Sequence, residues 1–191
     1  MNDYQQDIAA MKQWLDSAIE RGAVPVITGQ NGDMDTIGSA IALASIHPSL
    51  LACGLHIGRI AKRMVDQLRA PFRKIAAKGT VFPDPLGGII IVDAAAPEQV
   101  GIDLPDVPKL IIDHHATNGW ELSEDDCMLQ WDVRATTEII ATYMFEHERG
   151  KEALSFITEL HRTLPDNSQN RYDNLKKWIF PVFCLYWTPF L

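Results

Sequence analysis

The sequence predicts an α/β fold: a doubly wound, mostly parallel sheet of five strands with helices on both faces. Apolar runs of four or five residues recur along the chain without polar alternation, which is typical of strands that are covered on both sides. Stretches with helical spacing of apolar residues separate these runs. Such alternation of strand and helix, without repeats or a low-complexity linker, indicates a doubly wound sheet.

The first elements follow from spacing and from helix-ending residues. A helix is predicted over Asp3 to Arg21, because its apolar residues recur every three or four positions and Gly22 follows it. Strand one, Val24–Thr28, leads into a turn, and a second helix is expected from Thr36 to about Ile46, ahead of Pro48.

The remaining elements repeat the same alternation. They are strand two at Leu51–Ile57, a helix at Arg59–Ile75, strand three at Gly87–Val92, a short connection or helix at Pro97–Leu104, strand four at Lys109–Ile112, strand five at Met128–Trp131 and a helix at Ala135–Glu148.

Three of these strands are followed by acidic residues at their carboxyl ends. Asp33 and Asp35 lie in the turn after strand one, Asp93 follows strand three, and Asp113-His114-His115 follows strand four. Ligands of parallel α/β sheets bind at the carboxyl ends of strands. The Asp-His-His triplet alone fits a capped strand end with solvated histidines equally well. Several carboxylates in one crevice repel each other, however, so we expect cations to neutralise them.

These motifs resemble, in order and spacing, those of the DHH phosphoesterase family, which includes RecJ-like nucleases, nanoRNases, exopolyphosphatases and manganese-dependent inorganic pyrophosphatases. The small residues Gly38-Ser39-Ala40 after the first Asp pair and the segment Arg134–Ile140 are also similar to the family pattern. The resemblance covers about residues 20 to 148. It corresponds to the N-terminal catalytic domain of the family.

The resemblance implies a pair of Mn²⁺ or Mg²⁺ ions at the strand ends. Asp33 would hold one ion and Asp35 the other, with Asp93 between the two. His114 would be a further ligand of the second ion. Carboxylate and imidazole ligands suit Mn²⁺ well.

The same resemblance implies two catalytic residues beside these ligands. Asp113 would support the ligands of the second ion, and His115 would contact the substrate phosphate or assist proton transfer. The expected substrate is a small phosphorylated molecule: a nucleotide, a short oligonucleotide or polyphosphate.

The chain departs from the family pattern in three respects. The usual histidine four residues before the first Asp is Gly29 here, although Gln30 or Asn31 could supply an amide oxygen. Neither Asp132 nor Asp166 fits the fourth family motif. The third departure concerns the domains: we expect residues 1–150 to form the phosphoesterase domain and residues 151–191 a helix with an irregular aromatic-rich tail, without the family's C-terminal substrate-binding domain.

Composition restricts the partners and the compartment. A net charge of −8 argues against a broad surface for long nucleic acid. Three cysteines without a Cys-x-x-Cys pair, and a polar N-terminus, favour a reduced cytoplasmic protein. The tail is too short and too interrupted by proline to span a bilayer, but it could associate with a partner. A basic set of residues fits a solvated helix face or a phosphate contact: Arg63, Arg69, Arg73 and Lys74.

Two functions therefore remain open. The chain is expected to be a metal-dependent phosphoesterase that hydrolyses phosphodiester or phosphoanhydride bonds. The alternative is a degenerate, non-catalytic module that binds a nucleotide or a protein partner.

Overall fold

Six parallel strands and four α-helices form the part of the protein that the structure, a computed structural model, describes, which is residues 3–146. The sheet order is β3-β2-β1-β4-β5-β6, and every neighbouring pair is parallel. The elements in chain order are α1 (Asp3–Arg21), β1 (Val24–Thr28), α2 (Met34–Ala44), β2 (Leu50–Gly54), α3 (Arg59–Leu68), β3 (Arg73–Lys74), β4 (Ile89–Val92), a 3-10 turn (Pro97–Gln99), β5 (Lys109–Asp113), β6 (Cys127–Gln130) and α4 (Thr136–Glu146).

The central strands are buried because they consist almost entirely of apolar residues. β1 and β4 have no exposed residue, and β5 becomes fully buried after Lys109. Their side chains alternate between two apolar clusters, so that Ile90 faces one side of the sheet and Ile91 the other. The absence of polar alternation in the sequence thus reflects a sheet that is covered on both faces.

The two faces are covered differently. All four α-helices in the described region contribute to the cluster that contains Val26, Ile90 and Leu110. The opposite cluster is covered by irregular segments and the 3-10 turn, through residues such as Val100 and Trp120. The α/β parallel fold is confirmed, whereas the predicted α-helices on the second face are replaced within residues 3–146 by these shorter segments.

The predicted third helix is too long, and the predicted sheet has one strand too few. α3 ends at Leu68, since Arg69 adopts the left-handed conformation with φ 51° and Pro71 follows shortly after. The chain then runs extended, and Arg73–Lys74 pair with Cys53–Gly54 as β3, the strand that was not predicted. Strand two is correspondingly shorter than predicted and ends at Gly54.

The chain reverses its direction of travel across the sheet between β1 and β4. From β1 the strands proceed outward to β2 and β3, whereas from β4 they proceed the other way to β5 and β6. At such a reversal the loops after the two central strands separate, and a crevice opens at their carboxyl ends. The loops that begin at Gly29 and Asp93 flank this crevice.

Several predictions fall on residues outside 3–146. They are the helix at Lys151–Leu164, the candidate Asp166 and the aromatic tail at Trp178–Leu191. None of the helices within the described range is long and apolar enough to cross a membrane.

Gly87 allows the end of α1 to lie directly against the segment that enters β4. Its amide donates to the carbonyl of Ala23 over 2.9 Å, and its own carbonyl accepts from Nε of Arg21 over 3.0 Å. A Cβ atom at this position would overlap the backbone carbonyl oxygen of Ala18. Because backbone atoms cannot rotate away as a side chain does, any larger residue must displace α1.

We expect Gly87→Ala to lower the free energy of unfolding by about 3 kcal/mol, the upper range for overpacking. Gly79→Ala is the matched control, because Gly79 has φ 70° but no heavy atom within 4 Å of the added Cβ. Its cost should be about 1 kcal/mol, from the left-handed conformation alone. Urea denaturation of both variants measures the difference, and equal losses would contradict the packing explanation.

Candidate metal centre

Asp93 occupies the centre of the crevice and is 5% exposed. It follows β4 in the left-handed conformation, with φ 59°, which is strained for residues other than glycine and recurs at functional sites. One carboxylate oxygen accepts a hydrogen bond from the Thr36 hydroxyl of α2. The other accepts from the Thr136 hydroxyl of α4 over 3.1 Å.

The surroundings of Asp93 disfavour its charged form. Burial raises the pKa of the Asp93 carboxyl above its ordinary value of 3.8. The hydrogen bond from Thr36 lowers that pKa, whereas the nearby charges of Asp35 and Asp33 raise it. A positive ion beside Asp93 would reverse this balance, because it would compensate for both the burial and the repulsion.

His114 presents one ring nitrogen to the carboxylates. Its Nδ1 lies 3.3 Å from the Val133 carbonyl oxygen, which can only accept a hydrogen bond, so this contact requires the proton on Nδ1. Its Nε2 lies 3.6 Å from Oδ1 of Asp93 and 3.8 Å from Oδ2 of Asp35. This is the arrangement by which proteins orient a metal-binding histidine.

Asp113 and His115 form a pair at the end of β5. Asp113 is fully buried, and its Oδ1 lies 2.7 Å from Nδ1 of His115. The hydrogen bond with Asp113 raises the pKa of the His115 imidazole, burial lowers it, and the negative charges of Asp113 and Asp93 raise it. The imidazolium form of His115 is therefore favoured next to the crevice.

Asp35 joins α2 to α4. Its carboxylate accepts from the backbone amides of Thr136 and Thr137, each over 2.8 Å, and from the Thr137 hydroxyl. These amides have no partner within their own helix, so the carboxylate caps α4 and benefits from the positive end of its dipole. The capping contacts also fix the position of Asp35 beside His114.

Asp33 lies at the edge of the crevice and is exposed. It is the N-cap residue of α2, where Oδ1 accepts from the backbone amide of Thr36 over 3.0 Å and lies 3.0 Å from the Thr36 hydroxyl, whose single hydrogen is directed to Asp93. Its second carboxylate oxygen makes none of these contacts. Asp33 is the most solvent-accessible carboxylate of the predicted ligand set.

The predicted site residues converge only in part on one possible ion position. Within residues 3–146, ligand atoms of Asp93, His114 and His115 lie within 4.8 Å of one another. Asp35 is next to this group through His114, and Asp113 supports it through His115. His115, predicted as a catalytic residue, thus joins the candidate ligands, whereas Asp33 and Asp35 lie outside this closest group. The donors present, a carboxylate and two imidazoles, fit a divalent metal ion.

Gly29, at the position of the usual histidine, is closely surrounded. A Cβ atom there would lie 2.5 Å from the carbonyl oxygen of Asp93. The Gln30 side chain is directed away from Asp93, because its oxygen lies near Gly101. The backbone amide of Gln30 donates to the Gln99 carbonyl. Asn31 is exposed. Residues 29 and 30 therefore add no ligand to the group around Asp93.

Four supporting groups were not identified from the sequence. Thr36 and Thr136 hold Asp93, Thr137 holds Asp35, and the Val133 carbonyl holds His114. Two signals were present: the threonines lie at the starts of the two helices that flank the acidic motifs, and Thr136 and Thr137 belong to the segment that is similar to the family pattern. Threonine is common at such positions simply as a helix cap, so neither signal predicted contacts with Asp93 or Asp35.

Comparison with known proteins identifies the family of the chain. The family model described as the DHH family, N-terminal domain, matches residues 23–164. No curated protein gives a significant sequence match. A structure from Methanococcus jannaschii, assigned to the family II inorganic pyrophosphatases, is similar to 85% of this chain, with 19% identity and a TM-score of 0.52.

A second structure, of an exopolyphosphatase-related protein from Bacteroides fragilis, covers 94% of the chain with 14% identity and a TM-score of 0.47. That score is too low to support an argument about fold, which rests on the first structure and on the family model. The chain spans 56% of the length of each of these two proteins. Since the family model matches most of the sequence and includes every acidic motif at the crevice, the chain belongs to the DHH family.

Proposed function

We propose that this chain is a metal-dependent phosphohydrolase that cleaves phosphodiester or phosphoanhydride bonds in small nucleotides, short oligonucleotides or polyphosphate. The observation that carries the proposal is the group formed by Asp93, His114 and His115 at the reversal point of the sheet. Membership of the DHH family supports the same reaction class. The proposed ions are Mn²⁺ or Mg²⁺, two in number, as the family resemblance implies.

The residues at the crevice suit this chemistry. Asp93 and His114 would be the central ligands, and Asp33 and Asp35 would complete the two sites from the helix α2 side. Divalent ions bound there would supply Lewis-acid activation of a phosphoryl group and of water. The Val133 carbonyl keeps the proton on Nδ1 of His114, and therefore leaves Nε2 free to bind.

His115 is proposed as the proton carrier rather than as a metal ligand, because a protonated imidazole ring has no free lone pair with which to bind an ion. Asp113 holds Nδ1 of His115, which fixes the ring and favours its protonated form. His115 is 40% exposed at its side chain, so its other nitrogen can reach a substrate in the crevice. In this form it can donate a hydrogen bond to a phosphoryl oxygen or a proton to the leaving oxygen.

A second candidate function is a non-catalytic module that binds a nucleotide or a partner. The specific observation that favours it is Gly29, since the usual histidine ligand is missing and a side chain there would contact the Asp93 carbonyl. This candidate predicts that partner or nucleotide binding survives loss of the metal ligands. Loss of the metal ligands therefore separates the two functions: the enzyme would lose hydrolysis, whereas the binding module would keep its binding.

Replacing the central ligands should abolish hydrolysis. We expect Asp93→Ala and His114→Ala to reduce Mn²⁺-dependent release of nucleotide or phosphate by at least about 100-fold, more than the loss typical for groups that only support a ligand. His47→Ala is the control, because His47 precedes β2 at the opposite end of the sheet. Hydrolytic activity that persists in both ligand variants would contradict the proposal that this site is catalytic.

The variant Asp93→Asn should separate two effects of the Asp93 charge: destabilisation of the metal-free protein and binding of the metal ion. The raised pKa means that folded Asp93 keeps its proton where the unfolded chain has lost it. The free energy of unfolding therefore falls as pH rises above 3.8. In chelator at pH 7, Asp93→Asn should melt roughly 2–4 °C higher than the wild type, as expected for about 1 kcal/mol.

Addition of Mn²⁺ should reverse the order of stability. The ion binds the folded wild type and raises its melting temperature, whereas the neutral amide of Asp93→Asn binds it more weakly. Thermal melts in chelator and in Mn²⁺, at pH 4 and pH 7, check both statements. The difference in chelator should shrink at pH 4, because a larger share of the wild-type carboxyl is then protonated. A wild type that melts identically with and without Mn²⁺ would contradict the proposed metal site.

A further inference from the structure

Basic residues are concentrated in one short part of this acidic chain. Residues 59–78 contain seven of the 17 Lys and Arg residues and only one of the 25 Asp and Glu residues. The net charge of residues 59–78 is +6. Because the whole chain has a net charge of −8, its other residues together carry −14. We call these seven side chains the basic flank: Arg59, Lys62, Arg63, Arg69, Arg73, Lys74 and Lys78.

The basic flank is solvent-facing and largely unneutralised. All seven residues are exposed. Of these seven side chains, all in the described part of the chain, only that of Lys62 has an ion-pair partner, Asp66, at 2.7 Å on the same helix. A solvated helix face in an acidic protein ordinarily mixes both signs of charge, which limits repulsion between neighbours. Six unpaired positive charges over 20 residues are therefore a cost unless an anion binds them.

The strand register places part of the flank on the same edge of the sheet as the metal centre. Val92, next to Asp93, pairs with Thr28, and Ile27 pairs with Cys53, so Thr28 lies opposite Gly54. Gly54 pairs in turn with Lys74. Lys74 is thus in the same row as Val92, three strand spacings away, which corresponds to about 14 Å.

The start of α3 brings the flank closer still. The amide of Gly58 donates to the carbonyl of Gly32 over 2.6 Å, and Gly32 directly precedes Asp33. Arg59 follows Gly58 and is exposed. The flank therefore begins beside the exposed carboxylate at the edge of the crevice and continues outward to Lys74.

We propose that the basic flank binds a linear chain of phosphates whose end occupies the metal centre. This inference rests on the proposed function, and it specifies the substrate class as an oligomeric phosphate chain. A span of about 14 Å is more than a single phosphate can cover. Arginine and lysine side chains neutralise successive phosphates without reading a sequence. The acidic remainder of the molecule restricts the length that can be bound to a short chain.

Removing charge from the flank should weaken the binding of short phosphate chains and make that binding less dependent on salt. Arg73→Gln/Lys74→Gln is the test variant, and Arg59→Gln/Arg63→Gln is a second one on a different element. Lys12→Gln/Lys109→Gln changes the net charge equally outside the flank. The probes are a fluorescein-labelled five-nucleotide single strand, followed by anisotropy in Mn²⁺ and increasing salt, and unlabelled inorganic polyphosphate as competitor.

We expect each flank variant to bind more weakly and to lower the slope of log affinity against log salt by about 1.4, the value for two lost phosphate contacts on a single strand. The control should keep the wild-type slope. Weakened binding of both probes supports a common phosphate-chain surface, and weakening of one identifies the physiological type of chain. A wild type that binds neither probe, or flank variants indistinguishable from the control, would overturn the inference.

Bis(p-nitrophenyl) phosphate is a substrate that is too small to reach the flank. Its hydrolysis by the wild type is measured separately. No hydrolysis together with flank-dependent binding would count against the proposed function and leave the flank as a phosphate-binding surface. Hydrolysis without any effect of the flank variants on binding would count against the flank alone.

Discussion

The position of the site depends on one buried carboxylate and the two hydroxyls that hold it. Asp93 accepts from Thr36 on α2 and from Thr136 on α4, residues that lie 57 positions before it and 43 positions after it in the chain. These bonds connect the end of β4 to both helices that border the crevice. A charge with so little exposure is tolerated in a protein only when it is compensated, and the hydroxyls compensate it in part. A bound cation would compensate for the remaining deficit.

The two helices are also connected directly, through Asp35. Its carboxylate lies in the first turn of α2 and caps the first turn of α4, so that the two helix starts share one negative charge. A carboxylate with these donors has little rotational freedom. Binding of an ion would therefore require little reorganisation of Asp35, and less conformational entropy would be lost than for a free surface carboxylate.

The sequence alone predicted the features that follow from local pattern and from general rules of parallel sheets. β4 and β5 were recognisable because their apolar runs stop at an aspartate, and their carboxyl ends had to meet at one edge. β3 was not recognisable, because a strand of two charged residues has no periodicity and depends on the turn at Arg69. The irregular cover of the second face has no sequence signature either.

The supporting contacts of the site could not be predicted for a different reason. That Thr136 faces Asp93 depends on the rotation of α4 about its axis, which its packing against α2 determines. The same holds for the Val133 carbonyl, because a backbone oxygen carries no information in the sequence about its partner. Motif spacing therefore located the acidic residues and left their relative geometry undetermined.

The close approach of Gly29 to the Asp93 carbonyl has a consequence for protein engineering. The two positions directly follow the neighbouring strands β1 and β4 and share the same small volume, so they cannot be redesigned independently. Installing a histidine at position 29 would push on the backbone of the residue most central to the site, and the gain of a ligand would be offset by displacement of another. A design that adds a ligand to this crevice should begin from the more exposed Asn31, or should remodel the ends of β1 and β4 together.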